Sequence, residues 1–143
     1  MSRGSAAVRM PCVAKTIDAL LEEARARLDR VGPEQAWAEV EAGEAVLVDT
    51  RTLEQRAKVG EIPGALVIDR TVLEWRLAPS SPWRLPEIRA DARVIVICRQ
   101  GFSSSLAAAT LHDLGLHRAT DVIGGVEAWR RAGLPLVPGP TYR

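Results

Sequence analysis

Thiol, imidazole and net charge are all scarce in this chain of 143 residues, which has two cysteines, two histidines and a formal charge of +1 from 19 basic and 18 acidic residues. Cys12 and Cys98 stand far apart in unlike surroundings, so no disulfide framework follows, and with His112 and His117 they offer no metal-ligand spacing. So little cysteine fits a reducing, cytoplasmic compartment. The near-zero charge removes any global field that would attract nucleic acid or an anionic membrane, so any basic function is local. No apolar run is long enough to span a bilayer, and the first ten residues lack the apolar stretch of a signal peptide. Residues 1–15 read as a disordered leader and 139–143 as a loose tail. Internal repeats and low-complexity tracts are absent too.

What remains, at 47% hydrophobic residues, suits one α/β domain with a proper core. Ile17, Leu20, Leu21, Ala24, Leu28 and Val31 recur at helical spacing, with Glu22, Glu23, Arg25, Arg27 and Arg30 largely on the other side. This predicts an amphipathic helix over 16–31, capped by Thr16, whose apolar stripe packs on the parent domain or, failing that, on a second copy. A short helix over 34–42 stops at Gly43. Strands are expected over 45–49, 65–68, 93–97 and 120–123, and helices over 53–59, 103–114 and 126–131. Strands separated by helices pair in parallel through right-handed crossovers, giving an open parallel sheet with helices on both faces.

The most informative residue is Cys98. It ends the β-branched run Arg93-Val-Ile-Val-Ile-Cys98 and opens the polar loop Arg99-Gln-Gly-Phe-Ser-Ser-Ser105, behind which Leu106-Ala-Ala-Ala-Thr-Leu111 reads as helix. A cysteine between strand end and helix N-terminus meets loop amides and the positive end of the helix dipole, which favour a thiolate and bind anions. The same donors can hold that sulfur after it has accepted another as a persulfide. Gly101 lets the backbone turn inward, and the hydroxyls of Ser103, Ser104 and Ser105 can cap the helix or add donors.

Three separated stretches resemble the rhodanese-like sulfurtransferase domain. They are Val46-Leu-Val-Asp49-Thr-Arg51 followed by Gly60-Glu-Ile-Pro-Gly-Ala65, then Cys98-Arg-Gln-Gly-Phe-Ser-Ser104, then Gly124-Gly-Val-Glu-Ala-Trp129 with Gly133-Leu-Pro135. Together they place one such domain over 16–138, with the first helix an addition to it. The resemblance implies a single-domain sulfurtransferase: Cys98 is the nucleophile, and Arg99, Gln100, Gly101, Phe102, Ser103 and Ser104 bind the donor around it. Sulfur passes from a small donor to a thiol or cyanide-like acceptor in a ping-pong cycle, with no metal or organic cofactor. Thiosulfate, glutathione persulfide, a mercapto acid and a protein persulfide all stay open as donors.

Departures from the family pattern carry expectations of their own. Ser103 stands where many thiosulfate-using relatives have an arginine, so the loop lacks a fixed cation for a sulfonate and thiosulfate use is expected to be weaker. Arg99, or Arg76 reaching in from the stretch after the second strand, would be the replacement. Glu61 replaces a usual histidine and reads as a loop-holding residue. Asp49 reads as a buried strand-end carboxylate paired with Arg51. Trp75, Pro82, Trp83 and Pro86, with Arg76, Arg84 and Arg89 among them, read as a flap over the cysteine rather than as a nucleic-acid surface. Two other functions compete. A cysteine phosphatase or arsenate reductase needs a clamping arginine six residues after the cysteine, where this chain has Ser104. A non-enzymatic regulatory module typically lacks the cysteine.

Overall fold

The computed structural model describes residues 13–140; Cys12 and most of the expected leader lie outside the described residues. Chain order is α1 (Ile17–Ala26), α2 (Pro33–Glu41), β1 (Val46–Asp49), α3 (Leu53–Val59), β2 (Leu66–Val67), a 3-10 turn (Arg70–Val72), α4 (Leu73–Leu77), β3 (Val94–Ile97), α5 (Ser103–Asp113), β4 (Thr120–Asp121) and α6 (Gly125–Arg131). All strand pairs are parallel, in the order β2-β1-β3-β4. β3 is central and buried on both faces, as its run of Val and Ile requires.

Its alternation divides the core. Val94 and Val96 join Val48, Leu73, Leu77, Ala107, Ala108 and Leu111 beneath α4 and α5. Ile95 and Ile97 join Leu47, Val122, Val126 and Trp129 beneath α2 and α6. The register sets Asp49 beside Ile97 and Asp121 beside Val96, so β1, β3 and β4 end along one edge of the sheet. That edge is where an open parallel sheet binds ligands.

Several local expectations are revised. Thr16 caps α1 as expected, but the helix stops at Ala26 instead of running to residue 31. Leu28 turns into the core, and Val31 leaves the helix to pair in parallel with Val122 along the sheet edge. Ala24 is buried in α1 while Ile17 and Leu20 stay exposed, so only the second half of the stripe packs on the domain. α2 starts at Pro33, whose missing N–H suits the first helical turn. β2 and β4 are two residues each, although the bonds Ile68 N–H to Asp49 O and Val122 N–H to Val96 O carry the ladder further. The segment 70–77 is helical because Leu73 and Leu77 fill the core below α5. Beyond the last helix, Val137 pairs antiparallel with Glu61, and Gly139 lies against the Arg56–Ala57 backbone.

Trp129 is fully buried, donates to Pro135 O at 2.9 Å and meets Trp37 edge-on at 5.7 Å between ring centroids. Trp129→Ala is therefore expected to remove about 3–5 kcal/mol of stability, read from denaturant unfolding. A loss below about 1 kcal/mol would mean that Trp129 is not the anchor of the α2–α6 face.

Candidate active site

Cys98 follows β3 directly and is 6% exposed. Past it, the backbone turns through Gly101 at φ +85°, and the Gly101 N–H donates to Cys98 Sγ at 3.2 Å. Two carbonyls of the loop are engaged away from the sulfur. Cys98 O accepts from Val126 N at 2.9 Å and Arg99 O from Glu127 N at 3.1 Å, so the uncapped first turn of α6 is satisfied by the loop itself. Gly125 makes this contact possible: at φ +59°, a Cβ there would lie 2.5 Å from Cys98 O and 2.7 Å from Arg99 C.

Burial pushes the Cys98 thiol up, but hydrogen bonds from Ser104, Ser103 and the Gly101 amide outweigh it and hold the thiol below its ordinary value. The Ser104 hydroxyl has one proton and gives it to Asp121 Oδ2 at 2.7 Å. Ser104 therefore serves the sulfur through its backbone N–H, while the exposed Ser103 hydroxyl is free to turn toward it. None of the serines caps α5, as the residue preceding that helix is Phe102 and no side chain caps it. Ser104 and Ser105 turn inward to Asp121 instead, where Arg30 makes a bidentate pair at 2.8 and 3.2 Å.

Asp121 and its partners were missed by sequence reasoning. A strand-end aspartate mirroring Asp49 was the only available signal, and Arg25 and Arg30 read as the solvated side of a helix. The reading of Asp49 and Arg51 holds: they form a buried pair at 2.7 Å, with Arg51 Nη2 also on Gly60 O at 2.8 Å. Among the described residues Arg51 Nη1 has no hydrogen-bond partner. Glu61 holds its loop as expected, accepting from Arg56 Nε at 2.9 Å.

The expected donor-binding residues separate into two groups. Gly101 and Ser104 are buried beneath the sulfur, while Arg99, Gln100, Phe102 and Ser103 form an exposed rim. Glu127 pairs with Arg99 at 3.3 Å and accepts from Gln100 at 3.3 Å. Arg99 also lines a cavity of about 520 Å³ with Arg51, Lys58, Arg130, Glu54 and Glu127, where basic groups outnumber acidic ones. Arg76 instead donates to Trp83 O at 2.7 Å and closes the turn after α4, so its side-chain hydrogen bond goes to that turn and not to the cysteine loop. The flap is revised as well, because Trp75 is exposed and lines a cavity with Thr110 and Leu114 near the far end of α5, while Leu73 and Leu77 of the same helix fill the core. His112 is half-buried, with Nε2 2.6 Å from Ala119 O. Among the described residues no cluster of His, Cys, Asp or Glu could hold a metal, and no helix is long and apolar enough to cross a membrane.

The sequence pattern of the rhodanese-like domain matches residues 32–132. The chain belongs to that family. This rhodanese-like protein is 37% identical over 94 residues to a sulfurtransferase of Allochromatium vinosum, covering 66% of this chain and 79% of the relative. It is 36% identical over 107 residues to the thiosulfate sulfurtransferase GlpE of Actinobacillus succinogenes, covering 74% and 87%. Among solved structures, it resembles a Rhodopseudomonas palustris protein of unknown function described as a possible tyrosine phosphatase, with TM-score 0.79, 34% identity, and coverage of 90% and 99%. Its sequence relatives make it a rhodanese-type sulfurtransferase.

Two outcomes are expected of this loop. Alkylation of Cys98 against pH inflects below the free-thiol value of about 8.5, since a depressed thiol ionises earlier on the way up. Gly125→Ala forces the loop and α6 apart and slows that alkylation at neutral pH by about tenfold or more, at a cost in thermal stability.

Proposed function

We propose that this protein carries a sulfane sulfur on Cys98 as a persulfide and passes it to a thiol or another thiophilic acceptor. The observation that supports this reading most directly is the 3.2 Å bond from the Gly101 amide to a depressed thiol in a loop whose carbonyls are engaged elsewhere. In the first half-reaction the Cys98 thiolate attacks the outer sulfur of the donor. The donor's S–S bond breaks, its leaving group (sulfite from thiosulfate, a thiolate from a persulfide) takes the electron pair, and a Cys98 persulfide anion remains. In the second, the acceptor thiolate attacks that outer sulfur and Cys98 departs as the thiolate. Atoms and electrons balance without an outside oxidant, and the loop amides face an anion in both resting forms.

Donor contacts are assigned to Arg99, Gln100, Gly101, Phe102, Ser103 and Ser104. The names of the curated relatives support thiosulfate as one of the donors. A serine at the exposed rim position 103 supports a lower efficiency with it than with a glutathione-type persulfide, and the cations around the neighbouring cavity favour Arg99 over Arg76 as the sulfonate contact. The phosphatase reading is disfavoured by Ser104, whose inward hydroxyl occupies the place a clamping arginine would need. Retention of Cys98 disfavours a purely structural module.

Intact-mass measurement after incubation with each donor should show one added sulfur on the parent and none on Cys98→Ser; loading of the serine variant at the parent level would overturn the reading. For specificity, Ser103→Arg is expected to raise the thiosulfate-to-persulfide ratio of kcat/KM by about tenfold or more, and Arg76→Ala to leave it unchanged. A parent that uses thiosulfate at least as well as glutathione persulfide would remove the donor preference.

A further inference from the structure

Two cations reach the cysteine loop from outside the family-matched residues. Arg25, on α1, donates through Nη2 to Gly101 O at 2.7 Å and through Nε to Ser105 Oγ at 3.1 Å, with its guanidinium 5.8 Å from the centre of the Phe102 ring. Arg30, in the turn after α1, donates through Nη2 to the same Gly101 O at 3.1 Å while clamping Asp121. One backbone carbonyl thus takes two guanidinium bonds.

That carbonyl is not an arbitrary one. It belongs to the residue whose N–H donates to Cys98 Sγ, and that residue is a glycine at φ +85°, the type whose flanking peptides turn over most readily. The peptide between Gly101 and Phe102 is planar and trans, so its N–H points opposite to its C=O. Turning that carbonyl elsewhere would require the Gly101 backbone torsions to change, and those torsions set the turn in which its own N–H meets Sγ. Charge-assisted bonds from two guanidiniums hold the oxygen in its present direction.

We propose that Arg25 and Arg30 are positioning residues for the cysteine loop: from behind, they fix the Gly101 carbonyl so that the loop amides stay turned to the sulfur through its thiolate and persulfide states. The role rests on Cys98 as the reacting sulfur and acts wholly through the loop. Of the other charged groups around the loop, Asp121 pairs with Arg30, Arg99 with Glu127 at the rim, and Asp49 with Arg51 at the end of β1, while Arg130 lines the cavity beside Arg99. α1 is therefore part of the site rather than an appendage.

The test uses the full chain and reads alkylation of Cys98 by iodoacetamide against pH, thermal unfolding, and kcat and KM for sulfur transfer. Arg25→Met keeps the Arg30–Asp121 pair and the apolar stem, so it should fold. Its inflection is expected about half a unit higher, with alkylation at neutral pH about threefold slower, and Arg25→Lys should recover part of the change. Arg30→Lys keeps a cation for Asp121 but cannot span both acceptors, and should shift the inflection in the same direction, lowering kcat more than it raises KM. An unchanged inflection in Arg25→Met overturns the role of Arg25, and in Arg30→Lys that of Arg30, whatever happens to thermal stability. If the parent fails to load sulfur, the functional reading falls, while the alkylation profiles still decide this proposal because they read the thiol directly.

Discussion

The site depends on one close backbone contact, where the start of α6 lies against the cysteine loop at Gly125. Without a side chain there, the amides of Val126 and Glu127 reach the carbonyls of Cys98 and Arg99. A single contact thereby satisfies a helix end that has no side-chain cap and draws two carbonyl oxygens away from the sulfur. The inside of the loop is left lined with donors. Gly101, at the other end of the loop, continues the same division: its N–H turns in to Sγ and its carbonyl turns out to Arg25 and Arg30.

Two buried carboxylates flank the central strand. Asp49 ends β1 and is held by Arg51; Asp121 ends β4 and is held by Arg30 and by the hydroxyls of Ser104 and Ser105. A buried ion pair is expensive to desolvate and contributes little net stability against an apolar replacement. What it does provide is direction, because a carboxylate with four engaged donors fixes the rotamers of everything around it. At Asp121 those donors include two residues of the helix that starts behind the cysteine, so the pair ties α1, β4 and α5 to one point. Arg51 differs in that its Nη1 meets no hydrogen-bond partner among the described residues, and it lines a cavity whose other cations are Lys58, Arg99 and Arg130.

The chemistry follows from this arrangement with few additional parts. Burial alone would keep the thiol neutral, and the surrounding donors reverse that. In the proposed cycle thiolate and persulfide are both anions at nearly the same place, so one set of amides would serve both. On the proposed reading, the exposed rim of Arg99, Gln100, Phe102 and Ser103 faces the group that leaves or arrives.

Much of this was legible in the chain. Four β-branched residues in a row, a cysteine, a polar loop with a glycine and a following helix determined β3, Cys98 and α5, because their geometry is local and periodic. The Asp49–Arg51 pair was legible too, lying within two residues of itself. The end of α1 was not, since helical periodicity continues through Val31 while a sheet-edge pairing with Val122 takes that residue out of the helix. Nor was the placement of Trp75, which shares a cavity with Thr110 and Leu114, or of Arg76, which closes the turn after α4 on Trp83 O. The clamp on Gly101 joins residues 76 and 71 positions apart. In sequence, an arginine on the polar side of an amphipathic helix looks the same whether it meets water or a loop carbonyl. Only the packing of α1 on α5 decides between them.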